Sequence, residues 1–363
     1  MYFFAKAEIL KSFFEKQGKI TNATAQSPLF RAMLKQNVIY STEIDERWRN
    51  KIYEAHQIRI NSQYADAIRQ VEKDQSVVLT MPAGVYLLNL DFAKNKILLD
   101  EFGTLSFSVD DPKNGQFYQY LYDKNVEYSP AGVELYQKGW ESVLAELTSI
   151  PSTGMIFIDR YLFKKVEEAK QNIREILENT LPRRFSEKHA YHITFIFDLN
   201  ELKEKTFENL SKELTGIAKS CRPNINLQVE LLAITSDCTP FYFDCHNRRI
   251  ISNYFILRAD NALRAYSLPT DHNGKPVSGA IYNRSNCLQT LTPQRLYTMH
   301  SLQTESDPPA RSINLTLKSI RKFSNKISQY SPSMLRNSGM LWLHAVNGET
   351  CDANTGIQNR LIL

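Results

Sequence analysis

The feature that most constrains the fold is an alternation of strand-like and helix-like runs between residues 155 and 260. The run 155–163, MIFIDRYLF, is almost continuously apolar, which is typical of a strand covered on both faces of a sheet. Segment 164–182 carries an apolar stripe at helical spacing and ends at Pro182. The same alternation continues through strand 191–198, helix 201–221, strand 225–234 and a hairpin of strands 241–252 and 254–260. Strands that alternate with helices of this length predict an α/β sheet.

The first 150 residues have a different pattern. Residues 1–75 are predicted to be largely helical, including a long helix that runs from Ile44 to about Lys73. Residues 76–109 contain four short β-rich runs separated by turn signals, which predict a small, mainly antiparallel sheet. The segment 149–154 is the best candidate for a domain boundary. We therefore expect a helical and β domain at 1–150, with partner binding as its candidate role, followed by an α/β domain at 151–363 that ends in a basic extension.

Three sequence features indicate which classes of protein this chain can belong to: the length of its apolar runs, its N-terminal stretch and its cysteines. The longest apolar runs are well below the ~20 residues that a membrane-spanning helix needs, so no integral membrane association is expected. The N-terminal stretch mixes lysines and a glutamate with its aromatic residues, unlike a signal peptide. The five cysteines are scattered and include no close pair. We read them as free thiols of a cytoplasmic protein.

The stretch that begins at His246 carries the clearest chemical pattern. A cation, Arg248, follows the histidine at two residues, and an amide, Asn253, follows it at seven. Residues two apart on a strand project from the same face, so His246 and Arg248 are expected to point the same way. A guanidinium clamps phosphate oxygens, and an amide donates a hydrogen bond to them. The pattern therefore indicates a phosphate site.

The spacing of His246, Arg248 and Asn253 resembles the HxKxxxxD motif of the phospholipase D superfamily, with Arg for Lys and Asn for Asp. The resemblance covers about residues 153–262 and implies a phospholipase D-like α/β sandwich with a mixed sheet. It also implies that His246 is a nucleophile that forms a covalent phosphohistidine, with no metal and no cofactor. The superfamily normally uses two such motifs, and this chain has one. The resemblance therefore implies a homodimer or a second histidine from elsewhere in the chain.

Positive charge is concentrated in the last third of the chain. Residues 240–348 hold 13 Lys and Arg against five Asp and Glu, whereas the whole chain has a net charge of +5. A one-signed stretch of this kind attracts polyanions, so DNA or RNA is a candidate ligand and cleavage of its phosphodiester bonds a candidate activity. The candidate contacts to phosphate or nucleic acid are Arg249, Arg311, Lys318, Arg321, Lys322 and Lys326.

Other interpretations remain open. Cys238, Asp244, Cys245 and His246 are residue types that suit zinc, although their spacing matches no tight ligand knuckle. His272-Asn273-Gly274 has the composition of a nuclease loop, and Asn-Gly is equally a turn signal. A non-catalytic adaptor that retains only the fold is the main alternative to a metal-independent phosphodiesterase.

Overall fold

The chain forms two β-sheets with helices packed against them, so its class is α/β, as the sequence predicts. The computed structural model describes residues 2–18, 39–43, 58–108, 140–144, 147, 148, 150–202, 207–234, 248–259, 263, 272, 294–298, 343–351 and 358–361. The first sheet has five strands and is built from residues before 110. The second sheet has eight strands and is built from residues after 150.

The first sheet is parallel throughout, and its strands lie in the order β3-β2-β1-β4-β5. Its elements are β1 (Tyr2–Ala5), α1 (Ala7–Gly18), β2 (Ile39–Ser41), β3 (Ile58–Arg59), α2 (Ser62–Gln70), a 3₁₀ helix (Gln75–Thr80), β4 (Gly84–Leu87), α3 (Phe92–Phe102) and β5 (Ser106–Phe107). This order, with later strands added on both sides of β1, is that of a doubly wound sheet. The prediction of a mainly antiparallel sheet is therefore wrong, and strand β3 interrupts the long helix predicted from Ile44 to about Lys73.

Helix α3 shows why the local prediction failed. Its KILLDEF segment is apolar enough to look like a strand, but Asp91 accepts a hydrogen bond from the Lys94 N–H and so caps a helix. The helix ends at Gly103, whose φ of 53° lies in the left-handed region. An ideal Cβ at Gly103 would lie 2.0 Å from the Ser152 carbonyl oxygen, so the close approach also requires glycine.

The second sheet confirms the predicted β-α-β-α-β order followed by a hairpin. Strands β6, β7 and β8 are parallel, β9 is antiparallel to β6, and the full order is β11-β10-β9-β6-β7-β8-β12-β13. Its elements are β6 (Gly154–Ile158), α5 (Val166–Thr180), β7 (Tyr191–Asp198), α6 (Phe207–Cys221), β8 (Leu227–Ile234), β9 (Arg248–Ser252), β10 (Phe255–Ala259), β11 (Gln294–Thr298), β12 (Leu343–Val346) and β13 (Glu349–Cys351). A short helix, α4 (Glu141–Leu144), precedes it. Residues 313–329, for which the sequence predicts a basic helix, lie outside the described residues.

The two sheets share one hydrophobic cluster, which runs from Phe3 on β1 to Phe195 on β7. Helices α5 and α6 pack against each other on the second sheet and are joined by the Lys170–Glu213 ion pair at 3.1 Å. The two sheets are also linked by the hydroxyl of Tyr254, which lies in the turn between β9 and β10. It donates to the Gly84 carbonyl at 2.7 Å and accepts from the Leu105 N–H at 2.9 Å.

Among the described residues, no helix is both long enough and apolar enough to cross a membrane.

Removing the Tyr254 hydroxyl is expected to lower stability substantially. Because Tyr254 is 3% exposed, Tyr254→Phe leaves a buried carbonyl and a buried N–H without their partner. We expect a loss of about 2–3 kcal/mol in the free energy of unfolding, measured by urea titration. Tyr2→Phe is the matched control, because the Tyr2 hydroxyl makes no hydrogen bond within the described residues, and we expect a change within about 0.5 kcal/mol. Equal urea midpoints for the two variants would contradict the role given to Tyr254.

Candidate anion-binding site at the carboxyl edge of the second sheet

Arg248 and Asn253 lie at opposite ends of β9. Arg248 opens the strand beside Asp159, and Asn253 follows its last residue beside Thr153. Five residues of extended chain span roughly 16 Å, so the two side chains do not meet at one phosphate. The expectation that Asn253 shares a site with Arg248 is therefore corrected. Its Oδ1 instead accepts hydrogen bonds from the Thr153 N–H at 2.8 Å and the Thr153 hydroxyl at 3.1 Å.

The structure describes only some of the other residues predicted to contact phosphate or nucleic acid. Arg249 is 5% exposed, so it does not present a cation to a large ligand. Outside the described residues lie His246 and the basic series Arg311, Lys318, Arg321, Lys322 and Lys326. The zinc candidates Cys238, Asp244 and Cys245 lie outside them as well. Where the structure describes side chains, it contains no group of three His, Cys, Asp or Glu able to hold a metal ion.

Asp159 is the buried acid of the site. It follows the last residue of β6, is 2% exposed, and accepts a hydrogen bond from the Tyr161 N–H at 2.9 Å. Its Oδ1 lies 3.4 Å from Nε of Arg248. Burial raises the pKa of Asp159 to about 6, against the opposing effects of the Tyr161 N–H and the Arg248 guanidinium. A carboxyl group that changes charge near pH 6 therefore sits against the predicted phosphate clamp.

Three cations surround the ring of Tyr161. The Arg160, Arg248 and Lys164 charges lie 5.3, 5.7 and 5.9 Å from its centroid. Arg160 is also held by Asp198, the last residue of β7, at 3.2 Å. Lys164 has no carboxylate partner among the described residues. The carboxyl ends of β6 and β7 thus carry a cationic cluster arranged on one aromatic ring.

These side chains open onto a pocket of about 490 Å³. It is lined by Asp159, Tyr161, Leu162, Lys164, Lys165, Glu168, Ala169, Asn172, Arg248 and Leu263. The first turn of α5 forms one wall and carries two acids, Glu167 and Glu168, of which Glu168 pairs with Lys165 at 3.1 Å. The neighbouring cations Arg248 and Lys164 favour an anion in the pocket. The pocket is therefore equipped to bind a phosphate-sized anion.

The sequence pattern predicts Arg248 as a site residue but not the residues that accompany it: Asp159, Tyr161 and Lys164. A signal for them was present, because Asp159-Arg160-Tyr161 directly follows a buried strand. In open α/β sheets, ligands bind beyond the carboxyl ends of the parallel strands. Charged residues that end such a strand therefore mark the edge at which a site forms.

No known protein family matches the chain when it is compared with family profiles. No curated protein matches it either.

The ionisation of Asp159 is expected to control anion binding. Its folded pKa of about 6 means that the carboxylate is charged at pH 7.5, where it competes for Arg248, and neutral at pH 5. Sulfate keeps its charge over this range, so we expect its affinity to rise about threefold to tenfold from pH 7.5 to pH 5. Isothermal titration calorimetry of a His246→Ala variant measures the sulfate affinity at both pH values without a contribution from the His246 imidazole.

The control is Asp159→Asn in the same His246→Ala background. It is expected to bind sulfate at pH 7.5 as tightly as its parent does at pH 5, with little pH dependence. An identical pH dependence in both proteins would contradict the role of Asp159.

Proposed function

We propose that this protein binds the phosphate groups of nucleic acid at the Arg248 pocket and cleaves phosphodiester bonds there without a metal. The observation that carries the proposal is the position of Arg248 at the carboxyl edge of β6, beside Lys164 and the pocket. In the same proposal, the α/β unit that contains β6–β10 is of phospholipase D-like type. The motif resemblance and the β-α-β-α-β-hairpin order support that assignment.

The proposed reaction proceeds in two steps. A ring nitrogen of His246 bonds to phosphorus while the bond from phosphorus to the leaving oxygen breaks, and that oxygen takes a proton from a second histidine. Water then gives a proton to the second histidine and displaces the His246 nitrogen from phosphorus, which leaves a phosphomonoester. Arg248 and Lys164 stabilise the negative charge on the phosphoryl oxygens in both steps.

The proposal also assigns the source of the negative charge at the site, the second histidine and the role of the basic segment. Asp159 provides the negative charge that the motif resemblance assigns to position 253, where this chain has Asn253. A second histidine is required, and a homodimer that brings two copies of His246 together supplies it. The basic segment from Arg311 to Lys326 would then guide the nucleic-acid backbone, whose dense charge attracts such a series.

A second candidate function, a non-catalytic adaptor, is favoured by one observation. Both motif positions that the structure describes have internal partners: Arg248 pairs with Asp159, and Asn253 accepts two hydrogen bonds from Thr153. A site whose residues are already paired can persist for stability alone. In that case the fold is retained for contact with a partner protein.

Cleavage of labelled single- and double-stranded DNA and RNA in EDTA distinguishes the two functions. We expect wild-type protein to cleave, His246→Ala to be inactive, and Arg248→Ala to lose about 10²–10³-fold in kcat. Lys219→Ala is the matched control, because Lys219 is an exposed cation in the last turn of α6, and it is expected to cleave normally.

If neither the wild-type protein nor any variant cleaves nucleic acid, the proposed phosphodiesterase activity is refuted. Salt-sensitive retention of nucleic acid in that case would keep the binding function, and its loss in Arg248→Ala would place it at this pocket.

A further inference from the structure

A second, much smaller cavity lies where the two sheets meet. Its walls come from the segment after the 3₁₀ helix, from β4, from the Thr153–Asn253 pair and from the C-terminal segment 358–361. The centre of a water-sized sphere can occupy about 10 Å³ of this cavity, so the cavity has room for one water molecule or one small ion. Its lining residues are Val78, Met81, Pro82, Ala83, Gly84, Tyr86, Thr104, Thr153, Asn253 and Arg360.

Tyr86 brings an unpaired donor to this cavity. Its ring stacks on Phe4 with centroids 4.9 Å apart, and the residue is 1% exposed. Its hydroxyl has no hydrogen-bond partner among the described residues. Buried hydroxyl groups are normally paired, because leaving one unpaired costs about 1–3 kcal/mol. The missing partner is therefore expected to be a bound species.

Arg360 brings a positive charge to this cavity. Its Nη2 donates to the Leu79 carbonyl at 2.6 Å, whereas Nη1 is buried and has no partner where the structure describes side chains. None of the residues that line the cavity is acidic. Burial lowers the pKa of Arg360 to about 10, so the guanidinium stays charged at neutral pH. A buried cation needs an anion nearby or loses solvation energy.

Asn253 contributes a further donor, and its orientation is fixed. Because Oδ1 receives both hydrogen bonds from Thr153, the amide NH₂ points away from that residue. The NH₂ group has no protein acceptor within the described residues. The Asn253 NH₂ group is therefore a donor without a protein acceptor in this part of the structure, at the opposite end of β9 from Arg248.

We propose that this cavity binds one halide ion, chloride under ordinary conditions, between Tyr86, Asn253 and Arg360. The three side chains offer O–H and N–H donors and one positive charge, which is the environment that a monatomic anion requires. The cavity is too small for phosphate or sulfate, so this site is separate from the Arg248 pocket. The ion joins residues of the first sheet to residues of the second and to the C-terminal segment.

Thermal unfolding at constant ionic strength tests the proposal. Replacing sodium gluconate with sodium chloride or bromide is expected to raise the wild-type Tm by about 2 °C, because gluconate does not fit the cavity. Tyr86→Phe and Arg360→Met are each expected to lose this halide-dependent rise. Lys219→Met is the matched control for loss of a cation, and it is expected to keep the rise. Tyr86→Phe removes one atom, so it decides the question if Arg360→Met does not fold.

Crystals grown in sodium bromide locate the ion directly. An anomalous peak enclosed by Tyr86, Asn253 and Arg360 supports the site. Density for a water molecule without an anomalous peak would overturn it. A halide-dependent rise in Tm that persists in Tyr86→Phe would do the same.

Discussion

The central strands of the second sheet are buried on both faces, and the placement of its polar groups depends on this. Every residue of β6 is buried, and β7 and β8 each have only one residue that is not fully buried. Uncompensated charge cannot be accommodated along such strands, so charged and polar groups gather where the strands end. The carboxyl edge receives Asp159 and Asp198, and the amino edge receives Thr153. The two candidate anion sites lie at these two edges.

One acidic residue breaks this pattern, and the structure compensates for it. Glu230 lies within β8 with no exposure, and its carboxylate accepts from the Thr194 hydroxyl at 2.7 Å and from the Gln358 N–H at 2.8 Å. Asn359 extends the network with hydrogen bonds to the Met155 carbonyl and to Thr194. The buried acid therefore fixes the C-terminal segment across three parallel strands, and that segment carries Arg360 to the small cavity.

The sequence predicts the second sheet well and the first sheet poorly, for a physical reason. Strand β7 has eight residues and is apolar almost throughout, so its length and composition identify it. Strands β3 and β5 have two residues each, which is too short for any periodicity to be read. In the first sheet, the tertiary contacts decide the structure more than the local pattern does. Helix α3 is the example, because its cap and its terminal glycine outweigh an apolar run.

At the candidate site, the sequence predicts the position of Arg248 correctly and that of Asn253 incorrectly. Arg248 is where a ligand would need it, but its partner Asp159 is 89 positions earlier in the chain and no spacing rule connects them. Asn253 lies at the motif's spacing from His246 in the sequence. In the structure, the length of β9 places Asn253 at the opposite edge of the sheet from Arg248. Pairing between strands, which a single sequence does not display, determines both outcomes.

Tyr254 has a consequence for how the chain unfolds. Its hydroxyl bonds to backbone groups of β4 and of the segment before β5, and its ring lies in the cluster that both sheets share. Separating the sheets would therefore leave the Gly84 carbonyl and the Leu105 N–H without their partner and expose apolar surface on both sheets. Neither half can open while the other keeps its native contacts intact. We therefore expect the two sheets to unfold as one cooperative unit, although independently folding domains are common at this chain length.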